Sequence, residues 1–215
     1  MEYQHFKNIL HGRRSIRKFS DRAVDIESVK ELIDCARYAP SDTNSQTWEF
    51  IALMNRDKIK EISDITWNQL HKFAEKAKEN GLEKEARLLV KSFGPYATAF
   101  TDAPVLIISL ATPYKSKFRE KIFDPISFVD ASVWEEEGIK SSCLATQNLM
   151  LAAHAMGLGT CAMTGPILAA QDQIRSFLNI DSTKQINMVI ALGYPTEYPN
   201  KLPRKEVDEI LHFIL

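Results

Sequence analysis

The most basic segment near the amino end of the chain is RRSIRKF, which runs from Arg13 to Phe19. In an extended chain Arg13, Ser15 and Arg17 share one face, and in a helix Arg13 and Arg17 also share a face. Either way, guanidinium groups converge with a hydroxyl group nearby. That arrangement suits a phosphate monoester, which carries about −1.5 to −2 charges and three acceptor oxygens. A solvated basic surface is the alternative interpretation of the same residues.

A second candidate is the polar loop PSDTNSQTW at residues 40–48, which is predicted to lie between a helix and a strand. Its side chains at Ser41, Asn44 and Gln46 could hydrogen-bond the donor and acceptor edges of a planar ligand. Asx and Ser/Thr turns use the same residue types. The loop alone therefore does not decide between ligand binding and turn formation.

Two further segments are weaker candidates. Thr164-Gly165-Pro166 follows a predicted strand, where backbone N–H groups can be free to donate. The segment KLPRK, from Lys201 to Lys205, could add positive charge to a phosphate or ring site, or could be a solvated tail.

Residues 157–162, GLGTCA, match the dinucleotide pattern GxGxxA. They follow a helix and open a strand, the reverse of the order which that pattern requires, so a Rossmann fold is rejected.

Composition narrows the class of protein. A chain of 215 residues predicts a single domain, 1–215. Its 27 Lys+Arg against 28 Asp+Glu argue against a general nucleic-acid binder. Three cysteines without a CxxC pattern argue against a disulfide framework or a zinc site. The amino end lacks a signal-peptide pattern, and no apolar run reaches the ~18 residues of a membrane helix. These features predict a cytoplasmic protein that binds neither a membrane nor a metal.

The elements that must position these candidates follow from hydrophobic periodicity. Helices are predicted at 2–11, 26–39, 57–93 with a break at Asn80-Gly81, 141–156 and 169–178, and strands at 48–54, 104–111, 160–163 and 186–193. The predicted fold is α+β, with a small mixed or antiparallel sheet wrapped by helices. Residues 112–140 are predicted to form either a charged surface excursion or a lid, and the apolar tail at 205–215 needs cover that a partner subunit could supply.

Taken in order along the chain, these segments resemble the FMN-dependent nitroreductase family. The segments that carry the resemblance are RRSIRKF, ARYAPSDTNSQTWEF, DAPVLIIS, GLGTCAMTG, INMVIALGYP and the basic segment near the carboxyl end. The pairing of RxSxR-F with APSxxNxQxW is the most specific part. The resemblance implies an α+β fold and an intertwined homodimer with FMN at the interface, contacted by both subunits.

The resemblance also assigns roles to individual residues. It implies that the FMN phosphate, the ribityl chain and one ring edge are held by Arg13, Arg14, Ser15 and Arg17, and that Arg204 with Lys201 supports the phosphate. It implies that the flavin of the other subunit is reached by Pro40, Ser41 and Asn44. It also implies that backbone N–H groups at Thr164 and Gly165 meet the flavin N5 and O4 edge. The chain departs from the family pattern at Thr47, where proline is usual, and at Thr164, where many members carry glutamate or glycine.

The implied activity is hydride transfer from NADH or NADPH to flavin N5 and then to a small electron-poor acceptor, such as a nitroaromatic or a quinone. One pocket used in turn predicts ping-pong kinetics, and no side chain need act as a nucleophile because the cofactor does the chemistry. One alternative is an FMN enzyme of the same superfamily that catalyses reductive dehalogenation or ring fragmentation. Another is a flavin-free binding module that uses the basic motif on RNA or an acidic partner, which the near-neutral charge disfavours.

Overall fold

A four-stranded antiparallel sheet forms the centre of the computed structural model, which describes residues 2–127 and 129–214. The strands are β1 (Trp48–Leu53), β2 (Val105–Ala111), β3 (Gly159–Met163) and β4 (Gln185–Gly193). Their spatial order is β1-β2-β4-β3, and each neighbouring pair is antiparallel. The predicted small sheet is confirmed, and each strand lies close to its predicted bounds.

Helices cover both faces of this sheet. They are α1 (Tyr3–Gly12), α2 (Ile26–Ala36), α3 (Arg56–Glu79), α4 (Glu83–Leu88), α5 (Gly94–Ala97), α6 (Asp124–Ile126), α7 (Ala131–Ala155) and α8 (Gly165–Phe177), with a π-helical segment at Leu89–Phe93 between α4 and α5. The predicted α+β class is confirmed. The predicted break at Asn80-Gly81 is also confirmed, since α3 ends there and Gly81 adopts a positive φ of 75°.

Strand β2 explains why the sheet has two apolar faces. All of its residues are buried, and successive side chains of a strand point to opposite faces. Leu106 and Ile108 join the core cluster that includes α3 and α8 residues. Val105 and Ile107 join the cluster that includes α2 and α7 residues. The fully buried run therefore marks a central strand with helices on both sides.

Two helices begin earlier than their sequence pattern predicts. Helix α7 begins at Ala131 rather than Ser141, because the Asp130 side chain accepts a hydrogen bond from the Ser132 N–H at 2.9 Å and caps the helix. The first half of α7 is charged and shows no clear hydrophobic periodicity, which is why the sequence pattern did not predict it as helix. Because α7 includes these residues, the segment between β2 and α7 covers only 112–130 and is shorter than predicted. Helix α8 begins at Gly165 rather than residue 169, with Pro166 in its first turn.

The two ends of the chain leave apolar side chains exposed. Helix α1 buries no residue, and the only regular turn in residues 205–214 is a short 3₁₀ segment, Val207–Glu209. Phe213 is 76% exposed and Ile214 is fully exposed. The chain itself therefore does not supply the cover that its apolar tail needs. Within the described residues, no helix combines the length and the apolar character needed to cross a bilayer.

Candidate functional site

The arginine segment lies extended along the free edge of β3. Ser15 pairs in parallel with Thr160, and the Ile16 N–H donates to the Thr160 carbonyl at 2.9 Å. Ile16 turns inward and is buried, and a Cβ placed on Gly159 would lie only 2.8 Å from the Ile16 side chain. Close packing of Ile16 on Gly159 thus fixes the backbone that carries Arg13, Ser15 and Arg17.

The basic segment near the carboxyl end meets this arginine segment. A cavity of about 290 Å³ is lined by residues of both segments, namely Arg13, Arg14, Ser15, Arg17, Pro199, Asn200, Leu202 and Arg204. An adjoining cavity of about 640 Å³ shares Arg13, Arg14 and Arg204 and adds Lys201 and Lys205. The structure therefore brings together every cationic side chain that the sequence placed at the phosphate.

These cations have no acidic partner in the part of the chain that the structure describes. The ion pairs found there involve other residues. Burial, followed by the neighbouring charges of Arg14 and Arg204, lowers the pKa of Arg13. Two carboxylates lie nearby, since Glu206 lines the adjoining cavity and Glu197 bonds to the Arg17 N–H. Neither forms an ion pair with these cations in the described residues, so the cluster lacks the compensation that a structural ion-pair network would have. The cluster is therefore suited to a polyanionic ligand.

Arg14 also has a structural task. Its Nη1 donates to the carbonyl oxygens of His11 at 2.8 Å, Gly12 at 3.3 Å and Arg13 at 2.7 Å. These bonds satisfy carbonyl groups at the end of α1, which have no partner within the helix. Arg14 therefore has fewer N–H groups available to a ligand than Arg13 and Arg17.

The junction of β3 and α8 forms a second part of the site. The Thr164 side chain makes no cap hydrogen bond, and the first N–H groups of a helix have no acceptor within it. A Cβ on Gly165 would lie 2.9 Å from the Ala97 Cβ. The guanidinium carbon of Arg17 lies 5.2 Å from the ring centroid of Tyr96, the residue before Ala97. Tyr96 thus faces Arg17 while its neighbour Ala97 packs on Gly165, and no sequence pattern predicts this position.

The polar loop has a conformation of its own. Ser41 Oγ accepts a hydrogen bond from the Gln46 N–H at 3.0 Å, as the turn interpretation predicts. Thr43, Asn44 and Gln46 nevertheless have φ values of 47°, 55° and 49°. Non-glycine residues in the left-handed region cost about 1–3 kcal/mol each and cluster at functional sites. The loop therefore combines local turn bonding with the strain that accompanies binding loops.

The loop and the arginine cluster lie at opposite edges of the sheet. The loop leads into β1, whereas the arginine segment adjoins β3, and the strand order places β2 and β4 between them. Three interstrand spacings correspond to about 14 Å. Pro40, Ser41 and Asn44 line neither of the arginine cavities. One chain therefore assembles the cationic half of the predicted site but not the loop half.

Two further residues beside the arginines were not predicted as site residues. The Nε2 of His154 lies 2.6 Å from where a Cβ on Gly12 would stand, so the imidazole packs under the turn that carries Arg13. Burial, then Arg13 and Arg14, lower the pKa of His154. Glu197 Oε1 accepts a hydrogen bond from the Arg17 N–H at 2.9 Å. Both contacts join residues that are far apart in the sequence, so no local spacing of residues predicts them.

Comparisons with known proteins show which proteins this chain is similar to. A model described as "Nitroreductase family" matches residues 10–194. A putative NADH dehydrogenase/NAD(P)H nitroreductase of Methanothermobacter thermautotrophicus is 29% identical over 200 residues, which cover 92% of this chain and 81% of that protein. An iodotyrosine deiodinase of Nematostella vectensis is 25% identical, with 96% and 74% covered. The crystal structure of a BluB-like flavoprotein from Clostridium difficile 630 matches with a TM-score of 0.84 and 26% identity over the full length of both chains.

Proposed function

Because this chain belongs to the nitroreductase family, we propose that it is a homodimeric, FMN-dependent oxidoreductase. It transfers reducing equivalents from NADH or NADPH to a small electron-poor acceptor, a nitroaromatic or a quinone. The names of its relatives support the nicotinamide donor, since the Methanothermobacter protein is called an NAD(P)H nitroreductase. The cytoplasmic location stays a prediction.

The convergence of unpaired arginines is the observation on which the proposal depends. FMN ends in a phosphate monoester, and guanidinium groups bind phosphate through strong charge-assisted hydrogen bonds. Arg13, Arg17 and Arg204 line one cavity and have no carboxylate partner in the described residues. Ser15, between the first two, adds a hydroxyl group to the same cavity. The residues present therefore fit the phosphate end of this cofactor.

The junction at Thr164 and Gly165 fits the other end of the cofactor. Its free N–H groups lie at the positive end of the α8 dipole, and Arg17 lies near them through Tyr96. Donors and positive charge fixed in advance stabilise negative charge that develops during reaction. Bound FMN supplies the two-electron chemistry, while these residues bind it, orient it and stabilise the added charge. A donor and an acceptor that use one opening in turn predict ping-pong kinetics.

A second copy of the chain completes the proposed site. The loop with Pro40, Ser41 and Asn44 lies at the edge of the sheet away from the arginines, so a partner's loop is the source that the proposal requires. Apolar surface for such an interface is present at both ends of the chain. Tyr3 is 76% exposed, and the tail residues Ile210, Phe213 and Ile214 are at least 65% exposed.

The absorption spectrum of the purified protein tests the proposal. We expect the visible bands of oxidised flavin, bleaching with NADH or NADPH, and recovery of colour with a nitroaromatic or a quinone. Protein that stays colourless after addition of FMN contradicts the proposal. Salt-sensitive retention of RNA by such colourless protein would then favour the basic-motif binding module.

Reductive dehalogenation is the second candidate, because an iodotyrosine deiodinase is among the relatives. Turnover assays with halogenated phenols, nitroaromatics and quinones under the same conditions distinguish the two activities. Release of halide at a rate above that of nitroaromatic or quinone reduction would favour dehalogenation. The same flavin spectrum is expected in both cases, so the assay tests the acceptor and not the cofactor.

A further inference from the structure

An apolar cavity of about 530 Å³ lies between α3, α4, the π-helical segment, α5 and α8. Leu70, Phe73, Leu88, Phe93 and Leu168 form most of its wall, and Glu85 is the one acidic or basic side chain among the lining residues. The volume lies within the range of roughly 300–1,000 Å³ that is typical of small-molecule sites. The cavity is separate from the two cavities lined by the arginines.

This cavity adjoins the part of the site assigned to the reacting ring. Tyr96 lines it and also faces Arg17. Phe93 lines it and would lie 3.5 Å from a Cβ on Gly165. The Leu168 N–H donates to the Thr164 carbonyl at 2.9 Å, so the α8 wall of the cavity begins one helical turn after the free N–H groups. A molecule whose reactive end is at Gly165 can thus extend into the cavity.

The walls of the cavity leave apolar surface uncovered. Leu88 is 64% exposed, Leu168 is 75% exposed and Phe73 is 45% exposed. Large apolar side chains grouped around a concave surface mark ligand sites more often than scattered ones do. The segment Leu89–Phe93 lines the cavity as a π-helix, and π-helical turns occur frequently at functional sites.

We infer that this cavity binds the hydrocarbon substituent of the electron acceptor, and that the preferred acceptor is a quinone with an apolar side chain. The inference rests on the proposed function, which supplies the reaction: NAD(P)H, one proton and the quinone give NAD(P)⁺ and the hydroquinone. Both electrons come from the nicotinamide, and the second proton of the hydroquinone is the one taken from solvent. The quinone ring occupies the opening beside Gly165, and its chain lies among Phe93, Leu88 and Phe73.

The chemistry of the wall favours a hydrocarbon chain over a polar substituent. Each methylene group removed from water raises affinity roughly fourfold when the surface that receives it is apolar. A nitroaromatic acid or another charged acceptor gains nothing from this wall, and Glu85 repels an anion there. The length of the hydrocarbon chain on the quinone should therefore control its affinity for the protein, whereas the quinone ring controls its reactivity.

A matched pair of quinones tests the inference. The probes are 2,3-dimethoxy-5-methyl-1,4-benzoquinone and the same quinone carrying a decyl chain. Titration calorimetry on the oxidised, FMN-loaded dimer without nicotinamide measures binding, and steady-state kinetics measure kcat/KM. We expect the decyl quinone to bind at least tenfold more tightly and to show a kcat/KM at least tenfold higher.

Two leucine variants localise the effect. Leu88→Glu places a charge in the cavity, and we expect the ratio of the two affinities to fall to about one. Leu82→Glu is the matched control, because Leu82 is 47% exposed at the start of the same short helix and does not line the cavity. We expect this control to keep the wild-type ratio.

The outcomes separate this inference from the proposed function. Equal affinities for the two quinones in the wild-type dimer overturn the inference while flavin reduction still supports the proposed function. Binding that depends on the decyl chain, without reduction of either quinone by a flavin that NADH or NADPH still bleaches, also overturns the inference but not the proposed function. A flavin that neither nicotinamide bleaches contradicts the proposed function. Dissociation of the dimer by Leu88→Glu, with the affinity ratio unchanged, would show that a second copy of the chain fills the cavity.

Discussion

The two edges of the sheet carry the two halves of the proposed site, and their polar side chains differ in how they are satisfied. At the β3 edge, Arg13, Arg17 and Arg204 line one cavity, and none of them forms an ion pair with a carboxylate in the described residues. At the β1 edge, the loop at residues 40–46 satisfies itself, since Ser41 Oγ accepts a hydrogen bond from the Gln46 N–H at 3.0 Å. The first region leaves its cations without ion pairs, whereas the second forms hydrogen bonds within itself.

This difference shows what a single chain can reveal about a shared site. Like charges held close together at a partly buried position disfavour the charged state, as the lowered pKa of Arg13 shows, so the arginine edge points to an anionic ligand even in one subunit. A polar loop that bonds to itself gives no such signal. The backbone strain of the loop does indicate a functional site, because three of its non-glycine residues adopt left-handed φ values. Cation clusters and strained loops are thus complementary indicators of a binding site, and we propose that here they belong to one ligand.

Arg13→Ala should produce the largest effect of the changes that test this comparison. A charge-assisted hydrogen bond contributes about 1.5–3 kcal/mol, which corresponds to a loss of FMN affinity of about tenfold to a hundredfold. Folding of the flavin-free protein should not suffer, because Arg13 has no carboxylate partner there. Equilibrium titration with FMN measures the affinity, and Arg87→Ala on exposed helix α4 is the control. Unchanged affinity in Arg13→Ala would remove this residue from the site.

Gly159→Ala tests how the β3 edge holds its arginines. The new Cβ would stand 2.8 Å from the Ile16 side chain, so the arginine segment must shift away from β3. Overpacking of this kind costs about 1–3 kcal/mol, and we expect both the free energy of unfolding and the FMN affinity to fall. Chemical denaturation and FMN titration measure the two effects. Loss of stability with full FMN affinity would show that the cofactor does not depend on this backbone.

Thr47→Val tests whether a buried hydroxyl group at the β1 edge lowers the stability of the protein. The Thr47 hydroxyl is buried without a hydrogen-bond partner, and such a group costs about 1–3 kcal/mol. Valine has nearly the same shape, so the variant should be more stable by about 1 kcal/mol. Thr66→Val is the control, since its hydroxyl donates to the Ile62 carbonyl at 2.8 Å and its loss should destabilise. A Thr47→Val protein that unfolds more easily than wild type would contradict the account of this position.

His154 gives the smallest predicted effect, a pH dependence of stability. Burial and the charges of Arg13 and Arg14 lower the pKa of His154 in the folded state, whereas the unfolded chain has a pKa of about 6.5. The unfolded state therefore binds more protons below that pH, and stability is lost as the pH falls from about 7 toward the folded pKa. Denaturation at several pH values should show a shallower decline for His154→Gln than for wild type. An identical pH dependence in the two proteins would exclude His154 as a contributor.

FMN should reduce this pH dependence in the wild-type protein. The bound phosphate offsets the charges of Arg13 and Arg14, which are two of the causes of the lowered His154 pKa. Repeating the denaturation series with saturating FMN measures the difference. A decline of the same steepness with and without FMN would place the phosphate away from these arginines.

The sequence predicted the elements whose signals are local. The continuous apolar run of β2 and the Asp25 cap of α2 are examples, and the Asp25 side chain does accept the Ser28 N–H at 2.6 Å. The arginine segment was also predictable, because guanidinium groups at alternate positions share a face in either local structure. The start of α7 was not predicted, since its first half is charged and half-exposed and has no clear apolar stripe.

The remaining site residues depend on tertiary contacts. Tyr96 reaches Arg17 only because the α5 helix lies beside the β3–α8 junction. His154 reaches Gly12 only because α7 packs against α1. Neither residue has a partner at helical or strand spacing, so periodicity could not identify them. The proposed contact between the loop and the cationic cluster would require a second chain, and no pattern within one sequence predicts a contact between subunits.

Mixed dimers test the shared site most directly. One subunit carries Arg13→Ala and the other carries Asn44→Asp, a change that keeps a residue tolerant of the left-handed conformation. The two chains are co-expressed with different affinity tags, and FMN bound per purified dimer is measured beside the two single-variant dimers. We predict that both single-variant dimers bind FMN weakly, whereas the mixed dimer regains one site of wild-type affinity, formed by the intact arginines of one subunit and the intact loop of its partner. A mixed dimer that binds FMN as weakly as its parents would show that each site is built within one chain and would contradict the account.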